Sequence, residues 1–354
     1  MLAARLHGPK NLQIDEIEKP PPPGPGQVLL HVTAVGICGS DLHNYEDARI
    51  GDTVVAQPVI LGHEFAGVIE AVGPDAHDGN DQPLCVGQRV AADPATPCFR
   101  CENCEHGYPN LCTRLHFHGL FPDDGALCEY MITGSRGCFP VPNTVTDSAA
   151  ALLEPLGVAI HAVDLGALKV ANSVAVIGVG SIGMLITQLA ALSGAHPIFA
   201  FDKFRWRAEK ALKWGATEAY TLDDGDSAQI VMDRTGGRGV DVVFEAAWAD
   251  ESVNTAARMA RLGGRLVLVG IPGDDNLQMQ HSQARRKGLE IMMSRRMKHT
   301  YPRAIQLATE HPQALDLDKL ISHRFPLKEA PQAFAMNFAY QDAVQKVIID
   351  VSAS

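Results

Sequence analysis

The chain has 354 residues, of which 46% are hydrophobic and 20% are charged, a composition typical of a globular protein long enough for two domains. Its 30 basic and 41 acidic residues give a net charge of −11 without any Lys/Arg-rich run, which argues against nucleic acid or an anionic membrane as partners. No apolar stretch has the length of a signal peptide or a transmembrane helix, so the sequence predicts a cytoplasmic protein that acts on a small molecule.

The first half of the chain is rich in short β-branched runs that Gly, Pro and Asp interrupt. Such runs occupy 28–38, 59–73 and 88–94, and a stiff proline-rich connector at 19–27 precedes them. This pattern predicts a partly open β-barrel.

Four cysteines follow within the segment PCFRCENCEHGYPNLC, in the spacing C-x2-C-x2-C-x7-C. Permanent disulfides are rare in a reducing cytoplasm, and a loop with this spacing can surround one tetrahedral ion. We therefore predict a structural zinc with a closed shell of ligands, namely Cys98, Cys101, Cys104 and Cys112. Unliganded thiols, a redox pair and an iron–sulfur site are the alternatives that spacing leaves open.

A second, open metal site is predicted from three separated segments. Cys38 ends a strand in GICGSDLH, and His63 and Glu64 stand together in ILGHEFAG. Glu154 interrupts the apolar run ALLEPLGVAIHA, where a buried carboxylate requires a pairing partner or a metal. A thiolate, an imidazole and one or two carboxylates, with one position left for water or substrate, suit a catalytic zinc.

Polar residues near these ligands are candidates for supporting roles. Asp41 can receive the second ring N–H of His63, and Ser40 can relay a proton from a bound alcohol. Ser and Asp after Gly are also ordinary turn residues, so turn formation is the alternative for both. The carboxylates of the site and His43 are the other candidate proton carriers.

From about residue 171 onward, strand and helix patterns alternate. Near-continuous apolar strands between amphipathic helices indicate a parallel, doubly wound sheet. One such helix is expected near 251–262. The apolar run at 344–351 is predicted to be a strand that returns to the first domain.

A glycine-rich turn follows the first strand of this region. VAVIGVGSIGML places Gly178, Gly180 and Gly183 in the pattern G-x-G-x-x-G, which lets a pyrophosphate approach a helix N-terminus. Asp202 ends the next strand, where a carboxylate binds the ribose hydroxyls of NAD and repels the 2′-phosphate of NADP. We therefore predict NAD, although the basic residues at 203–207 could accommodate a phosphate.

With these three sites, the chain resembles the zinc-dependent medium-chain dehydrogenase/reductase family over nearly its whole length. Within that family it is most similar to the sorbitol (L-iditol, polyol) dehydrogenases. Alcohol dehydrogenases of the family typically have a cysteine in place of Glu154, so the string EPLGVAIH is the discriminating feature. The motifs that carry the resemblance are CGSDLH, ILGHEFAG, PDDGALCEY, LLEPLGVAIHA and SHRFPL.

The resemblance implies an α/β protein with two domains. A GroES-like β-barrel catalytic domain is expected at 1–155, with the structural-zinc lobe at about 94–113. A Rossmann NAD-binding domain with a doubly wound parallel sheet is expected at 156–296, and a C-terminal return to the catalytic domain at 297–354.

The resemblance also assigns roles to individual residues. It places the catalytic zinc at Cys38, His63, Glu64 and Glu154, and substrate contacts at Ser40, Tyr45, Glu154 and Arg296. It places cofactor contacts at Gly178, Gly180, Ile182, Gly183, Asp202, Arg207, Val269, Gly270, Ile271 and Arg295. Asn44 stands where the sorbitol enzymes usually have a tyrosine, and Met297 replaces an aromatic residue, so the substrate can differ from sorbitol itself.

The predicted reaction is the reversible oxidation of a secondary alcohol of a polyol to a ketose, with NAD as hydride acceptor and two zinc ions per chain, one catalytic and one structural. Glucose, threonine and idonate dehydrogenases are the alternatives within the family. A non-catalytic nucleotide-binding protein of the same fold is the alternative outside the enzymes. The resemblance also implies a homotetramer, or else a dimer.

Overall fold

The computed structural model consists of two compact units. Unit 1 comprises Met1–Glu154 and Tyr301–Ser354, and unit 2 comprises Pro155–Thr300. Unit 2 begins one residue earlier and ends four residues later than the nucleotide-binding domain expected at 156–296. The structure describes residues 1–51, 53–247, 249–271 and 276–352.

Strands dominate unit 1, whereas strands and helices alternate along unit 2. The strands are β1 Leu2–Leu6, β2 Leu12–Glu16, β3 Gln27–Gly36, β4 Arg49–Ile50, β5 Thr53–Val54, β6 Val59–Ile60, β7 Glu64–Val72, β8 Arg89–Ala92, β9 Ala95–Thr96, β10 His116–Phe117, β11 Tyr130–Gly134, β12 Cys138–Pro140, β13 Val174–Ile177, β14 Ile198–Asp202, β15 Glu218–Thr221, β16 Val240–Glu245, β17 Ala260–Leu268, β18 Glu290–Met293, β19 His323–Pro326 and β20 Val347–Asp350. The α-helices are α1 Gly39–Asp47, α2 Glu102–Glu105, α3 Asp147–Ala151, α4 Leu153–Gly166, α5 Ser181–Leu192, α6 Arg205–Leu212, α7 Ser227–Arg234, α8 Asp250–Met259, α9 His281–Lys287, α10 Tyr301–Glu310 and α11 Ala330–Phe338. Short 3-10 helices lie at Pro109–Leu111, Ser135–Gly137, Leu222–Asp224, Leu317–Leu320, Leu327–Glu329 and Gln341–Ala343.

Unit 1 is built on a seven-stranded sheet in the order β12-β8-β7-β3-β20-β19, in which β11 also pairs with β3. A smaller sheet in the order β2-β1-β6 lies in the same unit. The long strand β3 is buried along almost its whole length, because it pairs with β7, β11 and β20. The predicted C-terminal return is confirmed, since Ile348 of β20 lies opposite Gly36 of β3 in an antiparallel pair.

Unit 2 contains a parallel six-stranded sheet in the order β15-β14-β13-β16-β17-β18. The doubly wound arrangement predicted from the alternating pattern is therefore confirmed. The chain moves outward from β13 first to β14 and β15, and then on the other side to β16, β17 and β18. Ligands of such sheets bind at the carboxyl ends of the strands where the direction switches, which here is between β13 and β16.

The helix expected near 251–262 ends earlier than predicted, at Met259. Ala260 already has extended backbone geometry and pairs with Val240 of β16 as the first residue of β17. The sheet register therefore overrides the helical pattern of the last three residues. None of the helices in the described part of the chain has the length and apolar character that crossing a membrane requires.

Candidate functional site

Four thiols of unit 1 converge in the loop between β9 and β10. Cys101 Sγ lies 3.5 Å from Cys104 Sγ and 3.8 Å from Cys112 Sγ. A tetrahedral shell with zinc–sulfur distances of about 2.3 Å requires sulfur–sulfur separations of about 3.8 Å, so these thiols fit one zinc ion almost as they stand. The residues whose ligand atoms all lie within 4.8 Å of one another are Cys98, Cys101, Cys104 and Cys112.

Backbone N–H groups and one cation favour the thiolate form in this cluster. The backbone N–H of Arg100, followed by the side chain of Arg114, lowers the pKa of Cys98 to about 7. The backbone N–H of Cys104 is the main reason that the pKa of Cys101 falls to about 5. Burial and the neighbouring thiols raise the pKa of Cys104 to about 12. Because the crowded sulfurs resist full ionisation, a cation among them is needed to hold all four as thiolates.

The fully buried Asp41 joins the two turns that carry the predicted catalytic ligands. Its Oδ2 accepts a hydrogen bond from the N–H of Cys38 at 2.9 Å, and its Oδ1 accepts one from the N–H of Gly62 at 3.3 Å. Asp41 Oδ1 also lies 3.2 Å from Nδ1 of His63. We assign the Nδ1 proton of His63 to this contact, which leaves Nε2 on the side of Ser40 Oγ, 3.3 Å away.

The imidazole of His63 lies near the thiol of Cys38, which contributes to its pKa. Burial lowers the pKa of His63, but the Asp41 carboxylate and the Cys38 thiol outweigh burial and hold that pKa well above its usual value. Without a metal, the pair therefore retains a proton. A divalent metal can displace that proton, because metal binding requires neutral imidazole and thiolate.

Glu64, a predicted zinc ligand, forms an ion pair with a buried lysine. Both of its carboxylate oxygens lie 2.8 Å from Nζ of Lys346, and the two side chains are almost completely buried. Burial lowers the pKa of Lys346, but Glu64 and Cys38 outweigh it and raise that pKa above its usual value. Glu64 thus forms a buried ion pair with Lys346, and its role as a direct zinc ligand stays a prediction.

Lys346 is a buried charged residue beside the predicted ligands that the sequence analysis missed. It lies just before β20, 282 residues from its partner in the chain. The signal was present, because a lone lysine in the apolar run VQKVIID requires a buried anion as its partner. The sequence gives no means of identifying which anion that is.

Glu154 stands in the first turn of α4, and its side chain has no hydrogen bond or ion pair among the contacts of the described residues. It is only 5% exposed. Burial raises the pKa of Glu154 to about 8, against the opposing effect of His63. An unpartnered buried carboxylate close to an imidazole has the chemistry of a metal ligand, so the residues here fit a zinc ion.

The predicted catalytic ligands are neighbours but do not form a finished shell. Within the described ranges, no group of three or more Cys, His, Asp or Glu other than the four cysteines brings all its ligand atoms within 4.8 Å of one another. Glu64 is instead held by Lys346. The site therefore differs from the cysteine lobe, whose ligands are already assembled.

Two further residues of α1 have environments that bear on their predicted roles. Burial lowers the pKa of His43 to about 4, against the opposing effect of Asp47, so the ring is neutral at pH 7. Tyr45 is buried in the core, with its ring 5.6 Å from Phe334 and 6.1 Å from Phe338. The ring of Tyr45 is thus part of the hydrophobic core, and its role as a substrate contact stays a prediction.

The glycine turn of unit 2 has the geometry that a pyrophosphate requires. Gly178 has φ +82°, and a Cβ there would lie 2.6 Å from Ala247 Cα. A Cβ on Gly183 would lie 1.8 Å from the carbonyl oxygen of Gly178. At Gly180, the residue that precedes α5, a Cβ would meet nothing within 4 Å. The first and third glycines thus permit the turn, and the second leaves open space at the helix N-terminus for a ligand.

Asp202 lies at the carboxyl end of β14, beside this turn. Its Oδ2 accepts a hydrogen bond from the N–H of Val179 and its Oδ1 accepts one from the N–H of Phe204, both at 2.9 Å. The basic residues that follow already have partners. Arg205 bonds Asp224 at 3.0 Å, and the guanidinium of Arg207 lies 5.1 Å from the ring of Phe204.

The other predicted cofactor and substrate residues of unit 2 lie near the carboxyl ends of its strands. Val269 and Gly270 donate backbone hydrogen bonds to the carbonyl oxygen of Glu245, at 2.8 and 3.0 Å. These bonds fasten the end of β17 to that of β16. The remaining residues are the half-buried Ile182 in α5, the exposed Ile271 after β17, and, after β18, the exposed Arg295 and the half-buried Arg296 with φ +56°.

Comparison with known families agrees with this arrangement of sites. The model of the alcohol dehydrogenase GroES-like domain matches residues 24–143, and that of the zinc-binding dehydrogenases matches residues 181–310. The chain therefore belongs to the zinc-binding alcohol dehydrogenase family. The resemblance stated from the motifs, the two-part fold class and the expectation of an oxidoreductase that uses zinc and a nicotinamide cofactor are confirmed.

Individual relatives narrow the comparison. The sorbitol dehydrogenase of Bacillus subtilis is 34% identical over 349 residues, which cover 99% of this chain and 97% of the relative. The crystal structure of L-idonate 5-dehydrogenase from Escherichia coli superimposes with a TM-score of 0.88 at 27% identity, covering 99% of this chain and 98% of that one. An E. coli short chain alcohol dehydrogenase complexed with NADH has a TM-score of 0.88 at 29% identity, and 99% of each chain is covered.

Proposed function

We propose that this protein oxidises a secondary alcohol of a polyol to the ketose, and carries out the reverse reaction, with NAD as hydride acceptor. The sorbitol dehydrogenase relative supports the polyol class, and the zinc-binding dehydrogenase family supports the reaction type. The observation that carries the proposal is the unpartnered, buried carboxylate of Glu154 next to the Cys38–His63 pair. A non-catalytic binding protein of this fold has no need for such a costly group.

Within this proposal, unit 1 is the catalytic domain and unit 2 is the nucleotide-binding domain. Cys38, His63 and Glu154 hold the catalytic zinc, and the four cysteines of the lobe hold the structural one. Zinc, when bound, supplies a Lewis acid for the substrate hydroxyl, and NAD supplies the hydride acceptor. Overall the alcohol loses a hydride from carbon to the nicotinamide and a proton from oxygen to solvent.

The residues around the ligands orient them and move the proton. Asp41 keeps the Nδ1 proton of His63 and fixes the ring, so that Nε2 faces the metal position. Ser40 Oγ, half-buried and 3.3 Å from that nitrogen, accepts the hydroxyl proton and passes it to water, with His43 as the second carrier. Arg296 is proposed as a substrate contact together with Ser40 and Glu154.

The preference for NAD rests on the environment of Asp202. Its carboxylate stands at the end of β14 where the ribose is expected, and Arg205 next to it is occupied by Asp224. Replacing Asp202 with Asn removes the charge that repels a 2′-phosphate. We expect the ratio of kcat/KM for NADP to that for NAD to rise by about ten-fold or more, which corresponds to about 1.4 kcal/mol. Steady-state kinetics with both cofactors checks this, and an unchanged ratio would contradict the assignment.

We also propose a homotetramer, or a dimer, located in the cytoplasm. Among the residues that the structure describes, the edge strand β18 pairs on one side only, with β17, and it exposes Ile291 and Met293. Such an apolar edge is a natural surface for a second copy of the chain. The reducing cytoplasm would keep the metal-binding thiols from forming disulfides.

The substrate class is tested by kinetics across a stereochemically complete set of tetritols, pentitols and hexitols, with NADH formation as the signal. We expect one configuration of adjacent secondary hydroxyls to give the highest kcat/KM. Glucose, threonine and idonate serve as comparison substrates, idonate because of the structural similarity to L-idonate 5-dehydrogenase. A higher kcat/KM with any of these three than with every polyol would overturn the polyol proposal.

A further inference from the structure

A cavity in unit 2 has a basic lining that the proposed function does not use. Its volume is about 370 Å³, at the small end of the range for ligand pockets. Residues of three helices line it, among them Ala228 and Met232 of α7, Arg258 of α8, and Gln283, Arg286 and Lys287 of α9. The described lining contains none of the residues predicted to contact the cofactor, the substrate or a metal.

The cavity lies on the face of the parallel sheet opposite to the helix that follows the glycine turn. Crossovers between parallel strands are right-handed, and the chain moves from β13 to β14 and β15 before it returns to β16, β17 and β18. The helices α5 and α6 therefore cover one face, whereas α7, α8 and α9 cover the other. Ala228 of α7 and Ala256 of α8 share one hydrophobic core with the strands. A ligand in the cavity is thus separate from a cofactor at the glycine turn.

Three cations converge on this cavity, and no acidic side chain belongs to its described lining. Arg258 pairs with Asp226, the residue that caps the N-terminus of α7, at 2.5 Å. Nζ of Lys287 donates to the carbonyl oxygens of Arg258 and Ala260, both at 2.6 Å. Arg286 is exposed and has no hydrogen bond or ion pair among the contacts of the described residues. Of the three cations, only Arg258 has an acidic partner in the described part of the chain.

The closeness of these cations favours an anion between them. Burial is the main reason that the pKa of Lys287 is lowered, and the charge of Arg258 lowers it further. Lys287 thus stands near enough to a second cation to feel its repulsion. An anion at this point relieves that repulsion and is attracted by both charges. This local excess of positive charge contrasts with the net charge of −11 of the whole chain.

The donors around the cavity match a phosphate group. Arginine presents a planar fork of N–H donors that binds phosphate oxygens in pairs, and the fork of Arg286 is unpaired among the described residues. Lys287 uses two of its three N–H donors on carbonyl oxygens. Beside these donors, Ala228 and Met232 provide apolar contacts, so a short carbon chain attached to the phosphate also fits the lining.

We propose that the cavity between α7, α8 and α9 binds the phosphate group of a small anion, with Arg258, Arg286 and Lys287 as the binding residues. The anion is inorganic phosphate or a small organic phosphate, since both present the same oxygens to these cations. This site goes beyond the proposed oxidation of a polyol and depends on neither metal site.

The test measures phosphate binding by isothermal titration calorimetry. The full-length protein carries its zinc and is saturated with NAD, so that the glycine turn is occupied. The probes are inorganic phosphate and ethyl phosphate, at constant ionic strength. Arg286→Met removes the cation that has no described partner. Arg285→Met is the matched control, because Arg285 is an exposed arginine of the same helix and is not among the described residues that line the cavity.

We expect one phosphate site per chain. Its Kd should rise by about ten-fold or more in Arg286→Met, the loss expected for a hydrogen-bonded charge pair, and by no more than about two-fold in Arg285→Met. Arg286→Lys should raise the Kd by about three-fold, because an ammonium group keeps the charge without the fork. Tighter binding of ethyl phosphate than of inorganic phosphate assigns the site to an organic phosphate, and equal or weaker binding assigns it to inorganic phosphate.

Two results would overturn the proposal. The first is the absence of a site with a Kd below about 10 mM for either probe. The second is equal weakening of binding by Arg285→Met and Arg286→Met, which would show non-specific attraction to a basic helix.

A variant on the opposite wall provides an independent check. Met232→Glu places an acid in the lining without changing any of the three cations, and it should raise the Kd for phosphate by about ten-fold through like-charge repulsion. Thermal unfolding shows whether this variant is folded. Unchanged phosphate affinity in folded Met232→Glu would place the bound phosphate elsewhere and would contradict the assignment.

Discussion

The two metal sites of unit 1 are built in opposite ways. In the cysteine lobe, four ligands of one kind come from a single loop, and their sulfur atoms already stand at the separations that zinc requires. At the proposed catalytic site, a thiol, an imidazole and a carboxylate come from three separate segments, and among the described residues their ligand atoms do not all lie within 4.8 Å of one another. The lobe is also partly exposed, whereas the catalytic ligands are largely buried.

This difference follows from what each ion has to do. A structural ion stabilises a loop with few apolar residues, so a closed and preassembled shell serves it best. A catalytic ion must keep one position for substrate, so its surroundings have to limit the number of ligands. In this chain, Asp41 contacts the turns that carry Cys38 and His63, and Lys346 pairs with Glu64.

The largest expected effect is on turnover. Replacing Cys38 or His63 with Ala removes one of the three ligands of the open site, and we expect kcat/KM to fall by roughly 1,000-fold or more. The melting temperature should change little, because the cysteine lobe is untouched. Steady-state kinetics and thermal unfolding of the same samples check both statements. Substantial activity in either variant would mean that the open site is not the catalyst.

A smaller loss of activity is expected from Asp41→Asn. Asp41 accepts hydrogen bonds from Cys38 and Gly62 and contacts His63, so an amide would present a donor where an acceptor is needed. We expect metal affinity or kcat to fall by about 10- to 100-fold, the usual range for a residue that orients a metal ligand. Metal titration together with kinetics measures this, and wild-type values in both would show that Asp41 only forms the turn.

Substitutions in the cysteine lobe should affect thermal stability more than enzymatic activity. Cys112→Ser removes a ligand from the preassembled shell, and we expect loss of one zinc per chain and a melting temperature at least about 5 °C lower. The remaining kcat at low temperature should stay within about three-fold of wild type, since no catalytic ligand is changed. Calorimetry and metal analysis provide the test, and an unchanged melting temperature would contradict a structural role for the ion.

The smallest effect is expected at Arg114, which lies over the lobe. Its guanidinium is 3.4 Å from Cys98 Sγ and favours the thiolate. Arg114→Met should speed the release of the structural zinc to a chelator, but by no more than about five-fold, because exposed charge contacts are weak. The effect should decrease at high salt. A change in kcat for this variant would indicate that the cysteine lobe and the proposed catalytic site are coupled. We expect no such coupling.

The parts of this molecule that sequence could predict are those specified by local spacing. The four cysteines and the three glycines each lie within one short segment, so the geometry of their sites follows from a single loop or turn. The parallel sheet of unit 2 was likewise visible as alternating strand and helix patterns.

The parts that sequence could not predict depend on contacts between distant segments. Nothing near Glu64 indicates that Lys346 binds it, because the pairing is made by the return of β20 to β3. Tyr45 lies close in the sequence to a predicted metal ligand, as a residue of a substrate pocket would. Its ring nevertheless packs against α11, near the other end of the chain. Packing against distant segments decides which way a side chain points, and the spacing of residues along the chain does not encode that packing.

Metal content per chain tests the central claim most directly. The account predicts two zinc ions per chain in the wild type. It predicts one zinc ion and loss of turnover in the double variant Cys38→Ala/His63→Ala. In Cys112→Ser it predicts one zinc ion with turnover retained. A single zinc in the wild type, or two zinc ions and normal turnover in Cys38→Ala/His63→Ala, would contradict it.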